Sequence, residues 1–246
     1  MSHEDIKLLF LQADNRFYSS KNNDGYMDYP TGRVYGLTTS NLSAYVASDI
    51  FFDNMEKNKH ILAIIRGWSE SDSREFLENF ASAFWTDDIK NEFNNNPFYA
   101  TYSEVQTNRN TILSCFWRYY VTIFVDHGNQ YCLSGLVDSS ELNDAYFEKP
   151  TFLLDRACST AGYHLIGDKQ WSLSTHVLRA GAMSFLGAID ISSGHEMFDE
   201  LLNNAFLNDH TTIAEAFKEG KNNDPSCYYD VYTLFGDPTI KPRWWS

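Results

Sequence analysis

Short apolar blocks alternate with longer amphipathic segments along most of the chain. A short apolar block rich in β-branched or aromatic side chains is typical of a buried strand. Six blocks fit this description, at residues 6–13, 61–66, 121–125, 152–157, 182–189 and 228–235. Elsewhere apolar residues recur with helical spacing, which predicts helices at 41–58, 72–85, 169–180, 196–207 and 212–220.

The first and last of these helices carry the clearest local signals. The helix at 41–58 has an apolar stripe that we expect to face the core, formed by Leu42, Tyr45, Val46, Ile50 and Phe51. The last helix begins with the capping box Thr212 to Glu215, in which each side chain bonds the other residue's backbone N–H, and Gly220 is expected to end it.

Three stretches give weaker signals. Residues 86–110 are polar and rich in Asn, which predicts a short helix with loops, and residues 111–120 fit either helix or strand. The connection between the strands at 121–125 and 152–157 is long enough for a crossover helix, which we expect to begin at Ser139.

Strands and helices alternate throughout, without an internal repeat or a low-complexity linker. This order predicts an α/β fold, with a mostly parallel sheet and helices on both faces. We therefore expect residues 1–246 to form a single domain.

Composition and charge narrow the classes of function. Hydrophobic residues make up 43% of the 246 residues, which is enough for a large core, and the net charge is −14. Nucleic acids and anionic membranes require clusters of Lys and Arg, so neither is expected as a partner. No apolar run is long enough to span a bilayer. The sequence predicts neither a cofactor nor a metal, does not show whether structural calcium is bound, and leaves the oligomeric state open.

The amino terminus lacks the basic segment and the small-residue cleavage site of a signal peptide. Localisation therefore depends on the native start. If Met1 is that start, the chain is expected in the cytoplasm. If the chain is a trimmed piece of a longer precursor, secretion or surface attachment is expected.

Two polar motifs follow neighbouring apolar blocks. Asp126-His127-Gly128 ends the block at 121–125, and Asp155-Arg-Ala-Cys158 ends the block at 152–157. If these strands are parallel neighbours, their carboxyl ends meet at one sheet edge, which is where open α/β sheets place their sites. His127 and Cys158 would then face each other, and an imidazole next to a thiol favours the nucleophilic thiolate.

Small residues surround both side chains. Gly128 would allow a substrate carbonyl to approach, so the backbone N–H groups of Gly128 and Cys158 are expected oxyanion donors. A lone His or Cys at a strand end is more often structural, and only their pairing favours catalysis. A cation held by Asp126, His127 and Asp155 is disfavoured because no spacing matches a zinc site. The other three cysteines are interpreted as core residues: Cys115, Cys132 and Cys227.

With these residues identified, the sequence resembles the gingipain family of caspase-like cysteine peptidases. The resemblance is carried by five segments in order: LLFLQAD with TGRVYGLTTSNLSAYV, then VDHG, RACSTAGY, LRAGAMSFLGAID and YTLFGDPTIKPR. It implies a caspase-like three-layer α/β sandwich and endopeptidase activity through a Cys–His dyad. His127 falls on the family's histidine, Cys158 on its nucleophile and Gly128 on its oxyanion glycine.

The resemblance also implies a protein or peptide substrate, and relatives often prefer Arg or Lys before the cleaved bond. The carboxylates that could recognise such a side chain are Asp14, Asp24, Asp28, Asp190 and Glu196. The sequence departs from the family at Asp126, where a Gly is usual, and family members commonly carry residues before this region. Two alternatives stay open: a transpeptidase that uses the same acyl-enzyme, and a catalytically inactive binding module.

Overall fold

The computed structural model describes residues 27–34, 39–65, 98–142, 147–162, 172–192, 204–205, 211–223 and 231–242. The strand predicted at 6–13, the helix predicted at 72–85 and most of the helix predicted at 196–207 lie outside these ranges.

Within the described residues, the long elements alternate as expected. The helices are α1 (Thr39–Phe51), α2 (Tyr102–Phe116), α3 (Leu173–Arg179) and α4 (Ile213–Asn223), with a 3₁₀ turn at Phe52–Asn54. The strands are β1 (Ile61–Ile65), β2 (Phe98–Thr101), β3 (Val121–Val125), β4 (Gly128–Asn129), β5 (Cys132–Leu133), β6 (Val137–Asp138), β7 (Thr151–Asp155), β8 (Ala182–Ala188) and β9 (Tyr232–Gly236).

Six of these strands form one mixed sheet in the order β2-β1-β3-β7-β8-β9. Neighbouring strands are parallel except β8 and β9, which pair antiparallel. The predicted neighbours β3 and β7 lie side by side and parallel, with Phe124 paired to Asp155. The expected α/β fold with a mostly parallel sheet is therefore confirmed.

Apolar side chains alternate between the two faces of this sheet and build two cores. In β7, Phe152 and Leu154 join one hydrophobic cluster, while Leu153 joins the other. The first cluster includes α4 residues such as Phe217, and the second includes residues of α1, α2 and α3. Helices thus cover both faces, as in a three-layer sandwich. Among the described helices, none has both the length and the apolar character needed to cross a bilayer.

Two predictions about connections are wrong. Residues 98–110, expected to form a short helix with loops, contain β2 and the start of α2. Parallel pairing with β1 stabilises this strand, and that long-range contact is invisible in the local composition. After β3, the described residues form no crossover helix at Ser139. They form a small antiparallel sheet, β4-β5-β6, and a turn in which Ser140 donates to Asp138.

The apolar face predicted for α1 is also wrong. Of the expected stripe, only Tyr45 is buried, and Phe52, just beyond the helix, is the other large buried side chain of this segment. Ile50 is 67% exposed and Phe51 60% exposed. The helix is oriented by the polar end of Tyr45, which its hydrophobic spacing does not reveal. Helix α4 also continues past Gly220 to Asn223, whereas its capping box is confirmed by reciprocal bonds between Thr212 and Glu215.

Tyr45 connects α1 to the last two strands of the sheet. Its hydroxyl donates to the carbonyl of Met183 at 3.2 Å and accepts a hydrogen bond from the backbone N–H of Asp237. Burial raises the pKa of this hydroxyl, so it stays neutral and can serve both roles. Gly236, just before Asp237, has a φ of +124° that strongly favours glycine.

We therefore expect Tyr45→Phe to destabilise the protein by about 1–3 kcal/mol, because it leaves one buried and one partly buried backbone group without their partner. Urea unfolding followed by circular dichroism measures the change. The control is Val46→Ala, on the exposed side of the same helix, which should stay within about 0.5 kcal/mol of the parent. Equal stability of the two variants would contradict this role for Tyr45.

Candidate active site

The register between β3 and β7 fixes the level at which the two candidate residues emerge. Phe124 pairs with Asp155, and the N–H of Arg156 donates to the carbonyl of Phe124 at 2.8 Å. His127 and Cys158 each follow three residues after one member of that pair. Both therefore leave the sheet at the same edge, formed by the carboxyl ends of the parallel strands.

Cys158 lies at the start of a tight turn after β7. The next residue, Ser159, has a φ of +57°, which is uncommon for a residue with a side chain and frequent at functional sites. The turn is held against the end of β8: Ser159 N–H donates to Asp190 O at 3.0 Å, and Ala161 N–H donates to Ala188 O at 2.8 Å. A fixed backbone of this kind presents the cysteine side chain at a defined position.

Cys158 is partly exposed, and its sulfur contacts the segment that follows β8. Ser192 N–H donates to Cys158 Sγ at 3.5 Å, and the Ser192 carbonyl lies 3.8 Å from the same sulfur. The sulfur thus faces one backbone donor and one backbone acceptor of the same residue, and these contacts hold the cysteine against the segment that follows β8.

His127 is exposed at the start of the hairpin that follows β3. Its carbonyl accepts a hydrogen bond from Ser134 N–H at 3.0 Å, and its N–H donates to Asp126 Oδ1 at 2.5 Å. The carboxylate of Asp126 thus braces the backbone of the histidine. The sequence did not indicate this contact; there Asp126 stands out as a departure from the family and as a member of a disfavoured cation site.

Gly128 brings the histidine segment against the cysteine turn. A Cβ atom at this position would lie 2.5 Å from Thr160 Cγ2 and 2.8 Å from Ala157 Cβ, closer than atoms can approach without displacement. Ala157 precedes Cys158 and Thr160 follows it by two residues. The glycine is therefore required for close packing of the two segments, in addition to the open approach expected from the sequence.

A buried carboxyl group, Asp155, lies under the same turn, where no sequence pattern indicates a role for it. Its exposure is 0%, Oδ1 accepts a hydrogen bond from Ala157 N–H at 2.9 Å, and Oδ2 is bonded to the Thr160 hydroxyl. Burial raises the pKa of Asp155 to about 8; the two hydrogen bonds oppose this shift, and the nearby Asp126 adds to it. A polar residue closing an apolar strand was the signal available in the sequence.

Of the other residues singled out in the sequence, two cysteines are half-buried and four residues lie outside the described ranges. Cys132 is half-buried in β5, and burial together with Asp138 raises the pKa of its thiol. Cys115 is half-buried in α2 rather than fully buried in the core. Cys227, Asp14, Asp24 and Glu196 are not described. Among the residues that are described, no cluster of three or more His, Cys, Asp or Glu side chains could hold a metal ion.

Comparison with known proteins identifies the family. The model of peptidase family C25 matches residues 4–243. The chain belongs to this family, the gingipain family. The resemblance drawn from the sequence motifs is therefore confirmed.

The fold has a solved counterpart in a chain described as "Structure of Protease". The two share 14% sequence identity and a TM-score of 0.68, over 93% of this chain and 59% of that one. The C25 chain thus spans about three-fifths of the length of its structural neighbour, and the likeness supports the caspase-like fold. No curated protein matches significantly. The roles of His127, Gly128 and Cys158 stay predictions.

The raised pKa of Asp155 predicts a pH-dependent stability. Between about pH 4 and pH 8 the folded C25 chain keeps this proton while the unfolded chain has released it. Stability should therefore fall as pH rises through this window, by about 1 kcal/mol per pH unit from this group.

In Asp155→Asn the amide does not titrate in this range. The free energy of unfolding of the variant, relative to that of the parent, should therefore increase from pH 5 to pH 8. Urea unfolding of both proteins at each pH measures the difference. A difference that stays constant with pH would contradict the assignment.

Proposed function

We propose that the chain is a cysteine endopeptidase in which Cys158 is the nucleophile and His127 the general acid and base. The observation that carries the proposal is the close packing of Gly128 against Ala157 and Thr160. A Cβ atom added to Gly128 would lie only 2.8 Å from Ala157 Cβ and 2.5 Å from Thr160 Cγ2. Gly128, the residue after His127, therefore packs against the residues before and after Cys158 in the turn. A partly exposed cysteine and an exposed histidine follow neighbouring strands at the same edge of the sheet.

The proposed reaction is acyl transfer in two steps. The Cys158 thiolate attacks the peptide carbonyl and forms a thioester, while the His127 imidazolium donates its proton to the departing amine. A water molecule then gives a proton to His127 and attacks the thioester; the carbon–sulfur bond breaks, which releases the acid and restores the Cys158 thiolate and the His127 imidazolium. The backbone N–H groups of Gly128 and Cys158 are the proposed donors to the oxyanion.

A preference for Arg or Lys before the cleaved bond fits one carboxylate best. Asp190 is exposed, and its carbonyl accepts the N–H of Ser159, the residue that follows Cys158. Its Oδ1 accepts the N–H of Ile191 at 2.7 Å, which fixes the side chain and leaves further acceptor capacity on the carboxylate. We propose Asp190 as the residue that binds a basic substrate side chain. Asp28, another candidate, lies in a segment bonded to Lys218 of α4.

Cys158→Ala should abolish cleavage of fluorogenic Arg and Lys peptides, with a loss of at least about 10³-fold in kcat, because no other group forms the acyl-enzyme. His127→Ala should cost about 10²–10⁴-fold. The matched control is Cys115→Ala, a half-buried thiol in α2, which should keep near-parental turnover. Unchanged turnover in Cys158→Ala would refute the proposal.

Two further measurements separate the alternatives, a transpeptidase and an inactive binding module. Ligated product on addition of an amine acceptor would indicate a transpeptidase. Iodoacetamide that labels Cys158 no faster than Cys115, together with no turnover in the parent protein, would indicate an inactive binding module.

Asp190→Asn should lower kcat/KM for Arg and Lys peptides by about tenfold, since a neutral amide replaces a charge-assisted partner. Peptides with an uncharged residue at that position should be cleaved as before, which controls for damage to the site. Asp53→Asn makes the same charge change at the exposed turn after α1 and should have no effect. An equal loss on charged and uncharged peptides would contradict the recognition role.

A further inference from the structure

A single buried side-chain pair supports the turn that carries Cys158. Asp155 and Thr160 both have 0% exposure, and they are bonded to each other through Oδ2 and Oγ1. The second carboxyl oxygen of Asp155 accepts the N–H of Ala157 at 2.9 Å. Asp155 thus bonds the backbone just before Cys158 and the side chain two residues after it. These two hydrogen bonds link the ends of the turn that carries the cysteine.

Thr160 also touches the histidine segment. A Cβ atom added to Gly128 would lie 2.5 Å from Thr160 Cγ2. The Thr160 hydroxyl is bonded to Asp155 and lies 3.5 Å from the Ala157 carbonyl oxygen. One side chain therefore has two separable parts. The hydroxyl fixes the cysteine turn, and the methyl group packs beside Gly128.

The charged and titratable groups around Asp155 come from three elements. Asp126 follows β3, Arg156 continues β7, and Tyr232 begins β9; the tyrosine interacts electrostatically with Asp155, Arg156 and Cys158. Burial and the neighbouring Asp126 both disfavour a second negative charge here. The neutral carboxyl still bonds both partners, because its protonated oxygen can donate to the Thr160 hydroxyl.

We propose that Asp155 and Thr160 are positioning residues that hold the Cys158 sulfur in place relative to His127. They act through the turn. This inference rests on the proposed function for its catalytic consequence, but its geometric content concerns the accessibility and reactivity of one sulfur. Without the pair, the N–H of Ala157 would lose its acceptor, and the turn would lose the side-chain link between Asp155 and Thr160 that spans Cys158.

Two substitutions separate the parts of Thr160. Thr160→Val keeps the methyl contact with Gly128 and removes the hydroxyl, whereas Thr160→Ser keeps the hydroxyl and removes the methyl group. The control is Thr122→Val in β3. This change also removes the hydroxyl of a threonine with 0% exposure, but at a position in the strand several residues before His127. Asp155→Asn serves as the conservative variant, since an amide can bond both Ala157 N–H and the Thr160 hydroxyl.

The readouts are the iodoacetamide labelling rate of Cys158, measured by peptide mass spectrometry, and kcat and KM for peptide cleavage. Thr160→Val should slow labelling and lower kcat by roughly 10- to 100-fold with little change in KM, because the sulfur is misplaced. Thr160→Ser and Asp155→Asn should stay within about threefold of the parent, and Thr122→Val should match it.

Parental labelling and kcat in a folded Thr160→Val protein would overturn the proposal. If the valine variant does not fold, Thr160→Ser decides: a loss of tenfold or more would show that packing alone matters and would also overturn it. A parent protein that cleaves no peptide would refute the proposed function, whereas the labelling rates would still test the positioning of Cys158.

Discussion

Parallel pairing of β3 with β7 is the constraint on which the site depends. It aligns Phe124 with Asp155, so the two chain segments leave the sheet at the same level and the same edge. A shift by one residue would move every side chain of a strand to the opposite face. Because both strands are sandwiched between apolar clusters, such a shift would move each side chain into the opposite cluster and disrupt the close packing of both, so the register is specified by packing on two faces.

The site combines this rigid sheet with locally unfavourable features. Ser159 adopts a left-handed conformation, Asp155 is a carboxyl group in an apolar interior, and Gly128 approaches its neighbours closely. Each feature costs stability, and each is compensated by contacts within the same small region. Their concentration around one cysteine distinguishes this turn from an ordinary strand end, where a cysteine usually packs in the core as a small apolar residue.

The sequence was most informative where long-range packing and local pattern agree. Buried strands such as Val121–Val125 and Ala182–Ala188 were predicted because both faces are covered, which makes the whole block apolar. The edge strand β2 was missed because its pairing partner β1 is remote in sequence, and the hairpin after His127 was missed because its strands are only two residues long. The buried role of Asp155 was missed for a related reason: no sequence pattern shows which carboxyl group a fold encloses.

The most direct test of the account is a crystal structure of the protein bound to a peptide aldehyde that ends in arginine. The account predicts a covalent bond from Cys158 Sγ to the aldehyde carbon, with the His127 ring within about 4 Å of that new centre. An unmodified Cys158, or a modified one with the His127 ring turned into solvent, would contradict the claim that the two strand ends form one catalytic site.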